Sequence, residues 1–181
     1  MARLPLVPPT PDDPRVKVMF EEVTKRGLKV PDLYRVMANA PDMLRAWLDF
    51  AWPLRLNART TRRLRELMIL RGAQVSKTAY EWAHHVPMAL AAGITHGEID
   101  RIADWRTVAT FAPDEKAAIR LAEEITQGPA ASADCVEELK RHFDNEEIVE
   151  LVLTASFYVC VGRFLKTMDV ELEPGYAAPQ W

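Results

Sequence analysis

Apolar residues recur along most of the chain at intervals of three and four positions, with polar residues between them. This spacing is typical of helices that bury one face. The clearest instances are Leu64, Leu67 and Met68, and the segment from about Thr78 to Ala92. No segment alternates between apolar and polar residues convincingly enough to indicate a strand. The pattern therefore predicts an all-α fold.

Residues that start and stop helices divide this pattern into segments. Pro14 follows two aspartates and Gly27 follows two basic residues, which predicts a first helix over about residues 14 to 26. Thr95 and Glu98 have the spacing of a capping box, so a short helix should begin there. Further helix boundaries are predicted near Thr60 or Thr61, Gly93, Pro113, Gly128, Ser132 and Asp144.

The two ends of the chain differ from its middle. Five prolines within residues 1–14 disfavour helix and strand, which predicts an extended arm of the kind that often lies across a neighbouring subunit. Residues 15–173 are predicted to form one helical domain, because a chain of 181 residues with 49% hydrophobic content is long enough for one substantial core. Residues 174–181 are predicted to be a C-terminal tail.

The charge balance indicates an ordinary soluble surface. A net charge of -3 with 27% charged residues leaves no excess of basic groups for nucleic acid or for an anionic membrane. The apolar stretch before the first prolines is too short for the core of a signal peptide. The longest apolar run, Leu151 to Gly162, is below the roughly 20 residues of a membrane-spanning helix. We therefore expect a buried helix there and a cytoplasmic protein.

The two cysteines lie far apart in the sequence and outside any CxxC spacing. Neither a disulfide framework nor a zinc knuckle is indicated, and a reducing compartment fits this usage. Cys135 and Cys160 are each expected to be small buried residues of the core.

Three acidic and imidazole side chains are candidates for proton transfer. Glu81 and His85 are four residues apart and share a helix face, whereas His84 is turned away by about 100°. A carboxylate beside an imidazole fixes its tautomer, which suits a general acid or base, although a solvated surface pair has the same spacing. Glu66 is interpreted either as part of this relay or as an ion-pair partner of Arg62 or Arg63.

Metal binding is an alternative for the same residues. Glu81 and His84 have the ExxH spacing of di-iron bundles, but such a site needs a second ExxH, which is missing from the sequence. A mononuclear metal held by Glu66, Glu81 and a histidine is left open, because carboxylate and imidazole suit several divalent metals. The leading hypothesis includes neither a metal nor a cofactor.

The segment from Glu66 to Ile99 carries a recognisable motif. A helix with Glu-Leu is followed by a turn, Tyr-Glu-Trp-x-x-His, an alanine-rich helix, Gly-Ile-Thr and a Glu-Ile pair. This order resembles the carboxymuconolactone decarboxylase and alkylhydroperoxidase D-like superfamily, strongly over residues 40–105 and more loosely in the C-terminal helix. The resemblance implies a helical bundle that forms homo-oligomers, commonly trimers or hexamers, with a pocket near the Glu and His and close to subunit contacts.

The peroxidase branch of that superfamily has a Glu followed by Cys-x-x-Cys-x-x-x-His. Counting from Glu66 puts Thr78 and Glu81 at the two cysteine positions and His85 at the family histidine. The resemblance therefore retains the acid and the histidine but lacks both thiols. Without an attacking thiolate, thiol peroxidase chemistry has little support.

These residues suggest a cofactor-independent lyase or isomerase that acts on a small carboxylated or lactone metabolite, in the degradation of aromatic compounds. His85 is the expected proton donor, with Glu81 or Glu66 orienting it. Arg71 and Thr78 are the candidates for contacts with the substrate, and Arg71 would bind its carboxylate. The main alternative is a catalytically silent or regulatory homo-oligomer of the same fold. A peroxidase and a mononuclear metal protein are weaker alternatives.

Overall fold

The computed structural model describes residues 2–181, and it is all helical. Nine α-helices and one 3-10 turn occur in that part of the chain, and no strand is formed there. The helices are α1 (Pro14–Thr24), α2 (Asp32–Met37), α3 (Pro41–Leu56), α4 (Arg62–Ser76), α5 (Ala79–Ala91), α6 (His96–Asp100), α7 (Pro113–Gln127), α8 (Ala133–Leu139) and α9 (Asn145–Met168). The 3-10 turn is Ile102–Asp104. The all-α prediction is confirmed.

Helix ends follow the local capping signals closely. Thr95 and Glu98 form the predicted capping box, each side chain accepting a hydrogen bond from a backbone N–H of the other residue. The first helix ends at Thr24, earlier than predicted, and Gly27 beyond it has a positive φ of 76°. The other predicted boundaries each lie within two residues of an observed helix end: Thr61, Gly93, Pro113, Gly128, Ser132 and Asp144.

Helix α4 lies at the centre of the molecule. It packs against α5, α7 and α9, and every residue from Leu64 to Leu70 is buried. A helix that is covered on all sides belongs to the core. Glu66 falls within this run, so its carboxylate is placed where a charge requires hydrogen-bond or ionic partners. The position of α4 therefore brings an acid into the interior.

Both ends of the chain pack against its own helices. In the N-terminal arm, the backbone N–H of Arg3 donates to the carbonyl of Met168 at the end of α9, at 2.8 Å. In the C-terminal tail, the ring of Trp181 meets the ring of Trp82 edge-on, with 4.7 Å between centroids. The arm thus lies across its own subunit, and the tail returns to α5.

Helix α9 is the only helix in residues 2–181 that is long and apolar enough to cross a membrane, by length and composition alone. The core helix of a soluble protein meets the same criterion. In this chain Leu151, Tyr158 and Leu165 are buried in two apolar clusters of the fold. The packing therefore supports the prediction of a buried helix.

The two cysteines have different environments. Cys135 is buried, as predicted, and burial raises its pKa to about 11. Cys160 is exposed on α9, so the prediction of a buried residue is wrong at that position. The residues around Cys160 are apolar, which suggested burial, but Cys160 lies on the face of α9 that is turned away from the core.

Candidate functional site

A buried hydrogen bond joins the middle of α4 to α5. Nδ1 of His85 donates to Oε2 of Glu66 at 2.7 Å. Glu66 is 0% exposed and His85 is 6% exposed. The carboxylate of Glu66 also forms an ion pair with Arg62, one turn earlier on α4. The two interpretations of Glu66, relay partner and ion-pair partner, therefore hold together.

The protonation states of this pair follow from its surroundings. Burial acts to raise the pKa of Glu66, but the charge and hydrogen bond of His85 and the charge of Arg62 outweigh it, and the pKa is lowered overall. Burial lowers the pKa of His85 below its ordinary value of 6.5, although Glu66 opposes this. At neutral pH the pair is thus a carboxylate and a neutral imidazole. Because the carboxylate only accepts, Nδ1 carries the hydrogen and Nε2 presents a lone pair.

Glu81 lies one turn before His85 on α5 but forms no hydrogen bond with it among residues 2–181. Its side chain is 3% exposed, and no described residue is a hydrogen-bond partner of Oε2. Burial raises the pKa of Glu81 well above its ordinary value, and the charge of Glu66 raises it further. Both effects favour the protonated form of Glu81. The alternative of a solvated Glu81–His85 surface pair is wrong, and it is Glu66 that orients the imidazole.

A large cavity of about 800 Å³ opens beside these groups. Pockets for small ligands commonly have volumes of about 300–1,000 Å³. Glu81, His85 and Tyr158 contribute to its wall, and the ring of Tyr158 meets His85 edge-on with 4.9 Å between centroids. Other aromatic side chains in the wall are Tyr34, Trp47, Tyr80, Phe157 and Tyr176. Such a lining suits a small ligand with a flat, unsaturated body.

His84 lines the same cavity, contrary to the expectation that it turns away. Its Nε2 lies 2.7 Å from Oε2 of Glu173, and its ring stacks between Tyr80 and Tyr176 at centroid distances of 4.3 and 4.0 Å. Burial acts to raise the pKa of Glu173, but hydrogen bonds from His84 and Tyr80 lower it to about 2. The tail extends the cavity around α5, so both faces of this helix reach it.

Arg55, near the end of α3, lines the cavity and was not among the predicted site residues. Its Nη2 lies 3.5 Å from the sulfur of Met88, and Tyr34 is a hydrogen-bond partner. No carboxylate among residues 2–181 forms an ion pair with it. Its charge lowers the pKa of both Glu66 and His85. This position was not predictable from the sequence, since an arginine near a helix end is ordinarily solvated.

Arg71 lies outside the large cavity. Its Nε donates to Oε2 of Glu123 on α7 at 2.7 Å, and Trp105 and Arg106 donate to the same carboxylate. Arg71 is five residues beyond Glu66, which turns it about 140° around α4 and towards α7. The expected contact between Arg71 and a substrate carboxylate is therefore not supported by this arrangement.

Thr78 also lies away from the wall of the large cavity. It is 2% exposed, and its Oγ1 is 2.8 Å from Oγ of Ser76. A Cβ atom at Gly162 of α9 would come within 2.9 Å of this oxygen. Thr78 is thus a packing residue where α5 and α9 approach each other, and the predicted substrate contact finds no support in its position.

The geometry of the described residues adds no support for the metal-binding or the thiol peroxidase alternative. Within residues 2–181, no three His, Cys, Asp or Glu side chains come together as a ligand set. The second cavity-facing histidine, His84, is engaged by Glu173 rather than by the Glu66–His85 pair. Cys135 and Cys160 do not line the large cavity.

The fold and the site together define an all-helical protein with a buried Glu–His pair beside a ligand-sized cavity. Residues 41–124 match the sequence model of the Carboxymuconolactone decarboxylase family. The uncharacterized protein YdfG of Bacillus subtilis is 32% identical over 94 residues, which are 51% of this chain and 64% of YdfG. The matched region is thus less than two thirds of that relative's length.

Solved structures share the fold over nearly the whole chain. One is an uncharacterized peroxidase-related protein of Ralstonia eutropha JMP134 with an alkylhydroperoxidase AhpD core. It superposes with a TM-score of 0.80 at 20% identity, and the match covers 96% of this chain and 93% of that protein. The debrominase Bmp8, in complex with 2,3,4-tribromopyrrole, superposes with a TM-score of 0.77 at 18% identity. The match covers 96% of this chain and 95% of Bmp8. Residues 41–124 thus carry the sequence pattern of the carboxymuconolactone decarboxylase family, and the chain as a whole has the fold of the AhpD-like structures.

Proposed function

We propose that the protein is a cofactor-independent lyase or isomerase that moves a proton on a small carboxylated or lactone metabolite. The observation that carries the proposal is the buried Glu66–His85 hydrogen bond at the wall of the large cavity. A neutral imidazole held by a carboxylate and facing a ligand-sized cavity is suited to general base catalysis near neutral pH.

Proton transfer is divided between two groups in this proposal. His85 accepts a proton through Nε2, and Glu66 stabilises the imidazolium that forms. Glu81 starts with a proton and acts as the acid, whereas the sequence had suggested His85 as donor. The surroundings raise the pKa of Glu81 and lower the pKa of His85. Two groups whose pKa values are shifted in opposite directions are suited to act as the acid and the base of one site.

The chemistry requires a substrate with its own electron sink. In a decarboxylation, the bond to the carboxylate carbon breaks, CO2 leaves, and the electron pair moves onto a conjugated carbonyl to give an enolate. A proton from Glu81 then completes the product. In an isomerisation, His85 removes a proton from the carbon beside that carbonyl, and a proton is returned at another carbon of the conjugated system.

Arg55 takes over the substrate-binding role that the sequence had suggested for Arg71. It lines the cavity and forms no ion pair with a described carboxylate, so a substrate carboxylate would gain charge-assisted hydrogen bonds there. Glu173, at another part of the wall, already accepts from Tyr80 and His84. We infer that an anionic ligand binds with its carboxylate towards Arg55 and away from Glu173.

A flat ring is the ligand body that fits the proposal. The aromatic wall supports it, and the debrominase Bmp8, which shares this fold, is described in complex with a brominated pyrrole. This favours a role in degrading aromatic compounds. A thiol peroxidase is less favoured because Thr78 and Glu81 stand at the two cysteine positions of that branch.

The remaining proposals concern the state of the protein in the cell. We propose a cytoplasmic homo-oligomer, a trimer or a hexamer. Large apolar side chains on two helices remain exposed in the single chain and support self-association: Met43 and Phe50 on α3, and Val149 and Leu153 on α9. A catalytically silent oligomer is the alternative, but such a protein would not need His85 and Glu81 at the wall of a cavity.

The test is a screen of lactones and β-keto acids for CO2 release or isomerisation, followed by His85→Gln. This variant keeps the approximate size of the side chain and should lower turnover of an isomerisation, in which His85 removes a proton, by roughly 10²–10⁴-fold, as expected for a lost general base. Glu66→Gln should also lower turnover, and the double variant should lose less than the product of both effects, because the two residues act as one unit.

His84→Gln is the matched control. His84 lines the same cavity but is held by Glu173, so its loss should change KM more than kcat. Equal losses of kcat at His84 and His85, or full activity of His85→Gln, would remove the base from the proposal. The silent oligomer would then be the better interpretation.

A further inference from the structure

A second, small cavity lies on the other side of Glu81. Its volume is about 10 Å³, close to the space that one water molecule occupies as a probe sphere. Glu81 and Tyr158 are the residues that line both cavities. The rest of the small cavity's wall comes from α4, α7 and α9, so the two cavities meet different parts of the fold.

Two buried polar atoms are left without partners at this wall. No described residue is a hydrogen-bond partner of Oε2 of Glu81 or of Oγ1 of Thr154, and their residues are 3% and 2% exposed. Thr154 is within α9, where a threonine hydroxyl ordinarily bonds to the carbonyl one turn earlier. Buried polar groups that lack a protein partner are commonly satisfied by ordered water.

The same wall carries two hydroxyl groups nearer the surface. Ser76, at the end of α4, and Thr126, at the end of α7, both line the small cavity and are half-buried. Each hydroxyl donates to a carbonyl one turn earlier, Ser76 to Gly72 at 2.8 Å and Thr126 to Ala122 at 2.6 Å, so each offers a lone pair that can accept from a neighbouring water and hold it in place. The small cavity therefore has a buried acid at one side and hydroxyl groups towards solvent.

We propose that the small cavity binds water, held by the hydroxyl groups of Thr154, Ser76 and Thr126, and that this water connects the proton of Glu81 to solvent. The inference rests on the proposed function, in which Glu81 donates a proton to the substrate. After that step Glu81 is a carboxylate, and it takes a proton from the bound water, which regains one from bulk solvent. A substrate that fills the large cavity then does not block the return of the acid to its protonated form.

The experiment measures hydrogen–deuterium exchange of the Glu81 carboxyl group by infrared spectroscopy after transfer into D2O, without substrate. The C=O stretching band of protonated Glu81 is identified by its loss in Glu81→Gln. Thr154→Val replaces the hydroxyl with a methyl group of similar size. We expect exchange to slow by about fivefold to tenfold, as loss of one hydrogen bond of about 1–1.4 kcal/mol would give.

Two further variants keep the test independent of any folding defect in Thr154→Val. Thr154→Ser retains the hydroxyl and should exchange at the wild-type rate. Gly72→Ala places a methyl group in the wall of the small cavity, 3.4 Å from Oγ1 of Thr126, and it suits the helical backbone of α4. This variant should slow exchange as Thr154→Val does.

The outcomes separate this inference from the proposed function. Wild-type exchange rates in both Thr154→Val and Gly72→Ala would overturn the inference, because the proton would then leave through the large cavity. Such a result would leave the role of His85 untouched. If wild-type protein shows no band that Glu81→Gln removes, Glu81 is ionised, and both the inference and the donor role of Glu81 fail.

Discussion

The protonation of Glu81 predicts a stability change that requires no substrate. The pKa of this carboxyl group is higher in the folded protein than in the unfolded chain, chiefly because of burial. Its contribution to stability is therefore fully present below the unfolded pKa, and it is lost as pH rises towards the folded pKa. Across that window the free energy of unfolding should fall by about 1.4 kcal/mol per pH unit from this group alone.

Glu81→Gln removes the titration while preserving the shape of the side chain. As pH rises above the unfolded pKa of Glu81, wild type should lose stability relative to Glu81→Gln, at up to about 1.4 kcal/mol per pH unit until the folded pKa is reached. Every other titrating group is shared by the two proteins, so its effect cancels in the difference. Any cost of burying the amide of Gln shifts the whole curve and leaves its slope unchanged.

The assay is urea denaturation followed by circular dichroism at several pH values and one fixed protein concentration. Glu98→Gln is the matched control, because hydrogen bonds from Arg63 and Thr95 lower the pKa of Glu98 to about 2. The stability that Glu98 contributes is present above its unfolded pKa and is lost only as pH falls through the folded value. Its difference from wild type should be constant between about pH 5 and about pH 7. A constant difference for Glu81→Gln as well would refute the proposed proton on Glu81.

Two further predictions concern packing and assembly. Gly162→Ala should destabilise the protein by about 1–3 kcal/mol in thermal or urea unfolding, because the added Cβ would lie 2.9 Å from Oγ1 of buried Thr78. Gly97→Ala is the control and should be close to neutral, because no atom lies within 4 Å of the added Cβ. Equal effects of the two substitutions would contradict the close contact at Gly162. Light scattering should give a mass that is a multiple of 20.5 kDa, and a mass equal to that of one chain would count against the homo-oligomer.

Helix boundaries were predictable because their causes are local. A capping residue such as Thr95 acts on backbone groups within three positions of itself, so the sequence contains the whole interaction. The burial of α4 was partly predictable from its apolar residues. The pattern alone did not decide whether Glu66 was buried or solvated, since an acid beside Arg62 is compatible with either environment.

The rest of the site depends on contacts between distant parts of the chain. His84 meets Glu173 across 89 positions, and a helical wheel of α5 contains no information about that partner. Arg55 lines the cavity because α2, α5 and α9 close around the end of α3. The family resemblance singled out His85, which is buried and hydrogen-bonded to Glu66. Arg71, the suggested substrate contact, is bonded to Glu123 instead, and its direction depends on where α7 packs.

One wall of the large cavity is built by Glu173 to Tyr176, which follow the last helix and include Gly175 with a φ of 100°. Glu66 and His85, by contrast, lie between helices that pack on several sides. Apart from Glu173, which is bonded to Tyr80 and His84, substitutions in the tail alter few contacts of the core, so that part of the wall tolerates change at little cost in stability. Ligand preference can therefore change through substitutions in the tail while the proton-transfer groups stay fixed. The tail is thus the natural segment to randomise when a new substrate is sought.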